Sequence, residues 1–89
     1  MKSVVHTANA DAGLPATTRI RLVGAVLDHS AAANASLKYE TSGGDIFVLL
    51  RTDGTFPDRF WFPDDEVLPV RAIYVTLSAG TVIIYYEEI

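Results

Sequence analysis

The clearest structural signal in this chain is the run Arg71-Ala72-Ile73-Tyr74-Val75-Thr76-Leu77-Ser78-Ala79-Gly80-Thr81-Val82-Ile83-Ile84-Tyr85-Tyr86. Two segments rich in β-branched and aromatic residues flank a four-residue break, Ser-Ala-Gly-Thr. This arrangement predicts a β-hairpin. It also indicates that strands build the fold, because the rest of the sequence repeats the same alternation of short apolar runs and turns.

The longest strand candidate upstream is Arg19–Leu27. Period two places Ile20, Leu22 and Val26 on one face, which we predict to be the core face. Gly24 interrupts the run and predicts either a bulge or the close approach of another backbone.

A second hairpin is predicted in the middle of the sequence, where Ser36–Glu40 and Ile46–Leu50 flank the turn residues Thr41–Asp45. The unbroken apolar run of Ile46–Leu50 predicts a central strand that is covered on both faces. Residues 29–35, which include three consecutive alanines, are too few for an isolated helix and predict a loop or a single helical turn.

Short extended segments at Lys2–Thr7 and Arg59–Phe62 complete the pattern. We therefore predict an all-β chain: a compact antiparallel β-sandwich of six to seven strands, with the jelly roll as one type to consider. Residues 1–16 are interpreted as an extended N-terminal segment or arm, and residues 17–89 as a single sandwich domain. The predicted core consists of Ile20, Leu22, Val26, Leu37, Tyr39, Val48, Leu50, Phe60, Phe62, Ile73, Val75, Val82 and Ile84.

Composition limits the classes of function. The chain has 89 residues, 49% of them hydrophobic, with a formal net charge of −4 and no cysteine. Disulfides are excluded, and oligomerisation is the other common way to stabilise so small a β-domain, so we expect a homo-oligomer, with a trimer as the first expectation. The negative charge argues against nucleic-acid binding. The sequence has no run of about 18 apolar residues, so we expect no membrane-spanning helix. The first six residues lack the apolar segment of a signal peptide.

The acidic residues of two predicted loops are the best candidates for a cation site. Carboxylate oxygens on loops can bind calcium, but the spacing of a calcium loop is absent. The alternative is that Asp53-Gly54 serves as a turn and the other carboxylates are solvated. We expect no metal, no cofactor and no enzymatic activity, because no nucleophile–base pair is recognisable. The acidic set comprises Asp53, Asp58, Asp64, Asp65 and Glu66.

Two segments are candidates for protein contact. Period two puts Trp61 and Arg59 on the face opposite Phe60 and Phe62, and an exposed Trp beside an Arg is typical of interfaces. Stacking of Trp61 on a sugar ring is the alternative interpretation.

The second contact candidate is Val4-Val5-His6 in the N-terminal segment. It predicts either a strand of the chain's own sheet or an arm that pairs with a neighbour by strand addition.

Several segments between Asp11 and Tyr86 form a further pattern. They are Thr17–Leu22, Ser42-Gly43-Gly44 before the apolar strand that ends at Leu50-Arg51, Leu68–Leu77, and the closing Gly80-Thr81 and Tyr85-Tyr86. This pattern resembles that of the small β-sandwich virion proteins of tailed bacteriophages. The resemblance implies a structural role in the head or tail, often as a trimer.

On this basis we expect a non-enzymatic phage protein, made in the host cytoplasm and located in the virion. It would decorate or cement the capsid by binding junctions between major capsid subunits. The alternative is a receptor- or carbohydrate-binding module of a fibre or tail accessory protein.

Overall fold

The computed structural model describes residues 2–12, 20–39, 41–62 and 73–88. The side chains of Asp11, Ile20 and Glu88 are not described. Within these ranges the chain forms strands and turns, without a helix. The strands are β1 (Lys2–His6), β2 (Ala10–Asp11), β3 (Ile20–Asp28), β4 (Ala33–Tyr39), β5 (Ile46–Thr52), β6 (Asp58–Trp61), β7 (Ile73–Leu77) and β8 (Thr81–Glu88).

The strands form two four-stranded antiparallel sheets, the first in the order β1-β8-β3-β6 and the second in the order β2-β7-β4-β5. The pairs β1–β8, β2–β7, β3–β6 and β4–β5 are nested within one another along the sequence. An eight-stranded double sheet with this nesting is a jelly roll. The all-β antiparallel sandwich is thus confirmed, and the strand beyond the predicted seven is β2, whose two residues are too few to leave a periodic signal.

The predicted C-terminal hairpin is wrong, although both of its strands exist. β7 lies between β2 and β4 in the second sheet, whereas β8 lies between β1 and β3 in the first. The connection at Ser78–Gly80 therefore crosses from one sheet to the other. A turn signal between two apolar runs marks where strands end, but it does not say whether the runs pair with each other or with strands from elsewhere in the chain.

The middle hairpin is confirmed as the pair β4–β5, but the expectation that β5 is central is wrong. β5 is an edge strand, and its side chains alternate: Val48 and Leu50 are buried, while Ile46 and Leu49 are exposed. The expected loop or helical turn at 29–35 is also wrong in part, because β4 begins at Ala33. Tertiary pairing on both sides of β4 overrides the helix propensity of its alanines.

The core lies between the sheets. Of its predicted members, the buried ones are Leu22, Leu37, Val48, Leu50, Ile73, Val75, Val82 and Ile84. Phe62 is partly buried and packs against this cluster, and the side chain of Ile20 lies outside the described residues. The buried apolar residues that the prediction missed are Ala12, Ala25, Leu27, Ala33, Ala35 and Tyr86.

A β-bulge explains the largest error in the predicted core. The register of β3 against β8 shifts between Leu22 and Gly24, so one extra residue reverses the alternation. After the bulge, Ala25 and Leu27 face the core, and Val26 turns to the other side. Tyr39 and Phe60 were also predicted to be buried; both are exposed, since Tyr39 is the last residue of β4 and Phe60 lies on the edge strand β6.

The described part of the N-terminal segment belongs to the sandwich. β1 pairs with β8 over the whole of Lys2–His6, and β2 pairs with β7. Of the two interpretations left open for Val4-Val5-His6, the structure shows the strand in the chain's own sheet. The predicted boundary between residues 16 and 17 lies outside the described residues.

The turn between β7 and β8 provides a first test of the fold. Gly80 has a φ of +86°, and a Cβ at this position would lie 2.5 Å from the carbonyl oxygen of Asp28. Replacing Gly80 with alanine should therefore lower the free energy of unfolding by about 1–3 kcal/mol. The control is Gly43→Ala, where a Cβ meets nothing within 4 Å. Chemical denaturation of both variants checks this, and equal stability of the two would contradict the described turn.

Candidate functional site

The candidate site is the outer face of the first sheet, the side that points away from the core. In an antiparallel sheet, residues directly opposite each other point to the same side. The register places Val5 opposite Ile83, Ile83 opposite Val26, and Val26 opposite Arg59. These four residues form one row across all four strands, on the side opposite the buried Ala25, Val82 and Ile84.

A second row lies beside the first and carries the aromatic residues of this face. It runs through Ser3, Tyr85, Gly24 and Trp61, one residue from each strand. The Trp61 side chain is 51% exposed. Its ring centroid lies 5.5 Å from that of Tyr85, with 34° between the ring planes. The two rings therefore form a continuous apolar surface at the β6 side of the sheet.

Gly24 permits the position of the Trp61 ring. A Cβ on Gly24 would collide with the six-membered part of the indole and would lie 2.6 Å from the carbonyl oxygen of Phe60. Because residue 24 has no side chain, the ring rests directly on the backbone of β3. Such a ring has few orientations available, so little side-chain entropy remains to be lost when a partner binds. Both expectations for Gly24, a bulge and a close approach, are confirmed.

Charged groups border this surface. On the next row, Arg21 Nη1 donates a hydrogen bond to Glu87 Oε2 at 2.9 Å, and the two residues are paired in the ladder. On the edge strand β6, the exposed Arg59 is the last residue of the row that begins at Val5 on β1. An apolar and aromatic centre with a polar border is the usual anatomy of a protein-contact surface.

The structure brings together three of the five predicted contact residues. Val5, Arg59 and Trp61 lie on this one face, although more than 50 residues separate Val5 from the other two. Val4 and His6 point to the core side: Val4 packs against the core, and His6 Nε2 lies 3.2 Å from the carbonyl oxygen of Ala12.

Sequence reasoning missed Val26, Ile83 and Tyr85 as members of the face. The alternation of β8, in which Val82, Ile84 and Tyr86 are buried, would have identified Ile83 and Tyr85. No such alternation could identify Val26, because the bulge at residue 23 reverses the alternation of β3 before Val26 is reached.

The described members of the acidic set have structural partners. Asp53 Oδ1 accepts a hydrogen bond of 2.8 Å from the Thr55 amide, and this bond to the charged form holds the pKa of Asp53 below its usual value. Gly54 follows with a φ of +94°, so Asp53-Gly54 is a turn. Asp58 Oδ2 accepts a hydrogen bond of 2.8 Å from the Arg51 amide.

Asp64, Asp65 and Glu66 lie outside the described residues, so their predicted role stays a prediction. Within the described part of the chain, no group of three or more histidine and carboxylate side chains is placed to hold a metal ion. The same residues contain no helix that is long and apolar enough to cross a membrane.

Fold and site together define a small jelly-roll domain with an exposed apolar and aromatic sheet face. No protein-family model, curated protein or solved structure matches the chain significantly.

Proposed function

We propose that this chain is a non-enzymatic virion structural protein that decorates or cements a phage capsid. In this proposal, the outer face of the first sheet binds major capsid subunits at their junctions. The observation that carries it is the gathering of Val5, Ile83, Val26, Arg59, Trp61 and Tyr85 on one side of one sheet. The resemblance to small phage β-sandwich proteins supplies the class of partner, and capsid domains are among the known uses of the jelly roll.

The chemistry of the face suits a protein partner. Tryptophan, tyrosine and arginine contribute most often to binding energy at interfaces. Trp61 is held against Gly24 before any partner arrives, which reduces the entropy lost on binding. The row of Val5, Ile83, Val26 and Arg59 extends the contact across the full width of the sheet, a distance of roughly 14 Å for four strands.

The proposed mechanism is thermodynamic. A module that binds across a junction recognises the assembled shell and not the free subunits, so binding stabilises the assembled state. Individual contacts can be weak, because a lattice presents many equivalent sites and a multimeric module engages several at once. The proposed partners are therefore the major capsid protein and further copies of this chain, for which the resemblance implies a trimer. Nucleic acid and membrane are not proposed partners.

One observation favours a second candidate, a receptor- or carbohydrate-binding module. Trp61 and Tyr85 present two neighbouring rings beside Arg59, and a sugar ring can stack on such rings while the guanidinium donates hydrogen bonds to hydroxyl groups. Lectin domains are also built on jelly rolls. The two candidates use the same face and differ in what it binds.

Trp61→Ala tests the proposed contact. Binding to purified capsids of the source phage should weaken at least tenfold, which is about 1.4 kcal/mol, while the variant stays folded because Trp61 is half exposed. Cosedimentation with the capsids measures this. The control is Tyr74→Ala, which removes an aromatic side chain from the outside of the second sheet and should change binding by less than about twofold.

Electron cryomicroscopy of the native particle tests the location. Density for the domain at regular positions on the head lattice is the expected result. Absence of the protein from purified particles would overturn the proposal. Binding of the wild type, but not of Trp61→Ala, to immobilised glycans would replace it with the second candidate.

A further inference from the structure

A second surface of the molecule, the open edge of β5, lies apart from the outer face of the first sheet. Among the described residues, each sheet has two edge strands: β1 and β6 in the first, β2 and β5 in the second. β5 is the longest of these four, and Ile46–Leu50 carries no charge. A long, uncharged and apolar edge strand is a template for pairing with another strand.

Hydrogen bonds at the end of β5 show which of its backbone groups face this edge. The Arg51 amide donates to Asp58 Oδ2, so it does not bond to β4. Its ladder partner Asn34 likewise turns both of its backbone groups towards Ser78 on the other side. The pair Asn34–Arg51 is therefore a non-hydrogen-bonded pair of the antiparallel ladder.

The assignment of Asn34–Arg51 also determines which other residues of β5 face the open edge. Hydrogen-bonded and non-hydrogen-bonded pairs alternate, so Ser36–Leu49, two residues further along, is also non-hydrogen-bonded. The N–H and C=O of Leu49 consequently point away from β4. They face the open edge, where an added strand would bond to them.

We propose that β5 pairs with β5 of a second copy of this chain, antiparallel and with a two-fold axis at Leu49. The two Leu49 residues would exchange a pair of backbone hydrogen bonds, since an antiparallel pair of this kind forms both bonds between directly opposed residues. The two second sheets would then join into one eight-stranded sheet. This inference does not depend on the function proposed above. It is compatible with the trimer that the resemblance implies only if two trimers join through β5, so that the number of copies is even.

The side chains near the axis are compatible with a copy of themselves. Leu49 is 57% exposed and would meet the same residue across the axis. Phe47 does not take part in the contact. It is the extra residue of a bulge in β5, since Leu37 pairs with Val48 and Lys38 with Ile46, and its ring packs against the core and stacks on Tyr39 with centroids 4.4 Å apart. Because residues 46–50 are uncharged, no like charges oppose each other at the centre.

Two further exposed side chains flank the edge. Ile46 of one copy would lie near the 53–57 loop of the other, which presents Phe56 with 75% of its surface exposed. The exposed apolar residues around the edge would bury on the order of 500 Å² per copy, near the lower limit for a specific interface. Interfaces of this small size belong to weak associations, so we expect the dimer to dissociate at micromolar concentrations.

Asp58 has a defined part in this arrangement. Its carboxylate occupies the Arg51 amide, which would otherwise be the next donor along the open edge. Pairing is thereby confined to the segment around Leu49. Removing this carboxylate should lengthen the pairable edge and strengthen the association.

The test is the mass of the full chain at about 100 µM, a concentration well above a micromolar dissociation constant. Leu49→Pro removes the N–H that faces the edge while leaving the β4 ladder intact. Leu49→Lys keeps the N–H but places two positive charges opposite each other at the axis. Both substitutions should halve the mass measured by sedimentation velocity, whether the wild type is a simple dimer or a larger assembly of dimers.

Three comparisons make the result decisive. Leu49→Ala keeps the N–H and should retain the dimer with weaker affinity, and Asp58→Ala should lower the dissociation constant. Trp61→Ala should leave the mass unchanged, which separates this edge from the proposed capsid contact. A wild type that is monomeric, or that contains an odd number of copies, would overturn the proposal. An unchanged mass in Leu49→Lys would overturn it as well, even if Leu49→Pro failed to fold.

Discussion

Replacing Ile84 with alanine is expected to lower the free energy of unfolding by about 2–5 kcal/mol. Ile84 is 0% exposed and lies on β8, an interior strand of the first sheet, opposite Val4 on one side and Ala25 on the other. Its neighbours are held by two ladders and cannot close the cavity that truncation leaves. A domain of this size has a total stability of roughly 5–10 kcal/mol, so the variant should be close to unfolding at 37 °C.

The matched control is Ile46→Ala, because Ile46 is the same residue type but is 55% exposed at the start of β5. Its effect should stay within about 0.5 kcal/mol when unfolding is measured at a protein concentration low enough to keep the chain monomeric. Urea denaturation followed by Trp61 fluorescence is a suitable measurement. Comparable losses in the two variants would mean that the inner and outer sides of the sheets are assigned incorrectly.

Deleting residues 2–7 is expected to have the other large effect, a loss of at least about 3 kcal/mol. The deletion removes all of β1, whose five residues pair with β8, and it uncovers the edge of β8. Each backbone hydrogen bond contributes a net 0.5–1.5 kcal/mol, and the burial of Val4 adds to this. Circular dichroism during heating should show a much lower or broader transition than that of the full chain.

Two point variants connect this loss to the strand. Val4→Ala should destabilise by about 1 kcal/mol or more, because Val4 packs against the core, whereas Val5→Ala should have little effect because Val5 faces solvent. A deletion variant that keeps the melting temperature of the full chain would show that residues 2–7 act as a dispensable arm after all.

The positions of the strands could be predicted from the sequence far better than their partners. Alternation and turn residues identified the segments that became β1 and β3–β8. The same signals predicted that β7 pairs with β8, yet each lies in a different sheet. Pairing depends on which faces can be buried against strands from elsewhere in the chain, and a local pattern contains no information about that.

For the candidate site, the local pattern likewise identified individual residues but not which of them share a face. Trp61 and Arg59 could be assigned to one outward face from their spacing alone, and Val5 was identified as a contact residue. That Val5 shares a face with them follows only from the pairing of β1 with β8 and of β8 with β3. Val26 was assigned to the core because the bulge at residue 23 reverses the alternation, and bulges leave little trace in sequence.

The nesting of the four strand pairs has a consequence for how the chain folds. Of these four pairs, only β4–β5 consists of strands that are consecutive in the sequence, whereas β1 and β8 are the first and the last of the described strands. Closing a longer loop costs more entropy before any contact compensates for it, so β4–β5 should form first and β1–β8 last. We expect the chain to fold in milliseconds to seconds. Substitutions in β4 should slow refolding, whereas substitutions in β1 should mainly accelerate unfolding. Stopped-flow measurements test this, and the opposite assignment of the two effects would contradict the proposed order of strand pairing. Until β1 arrives, the apolar strand β8 lacks its last neighbour, and this is the interval in which the folding chain is most exposed to aggregation.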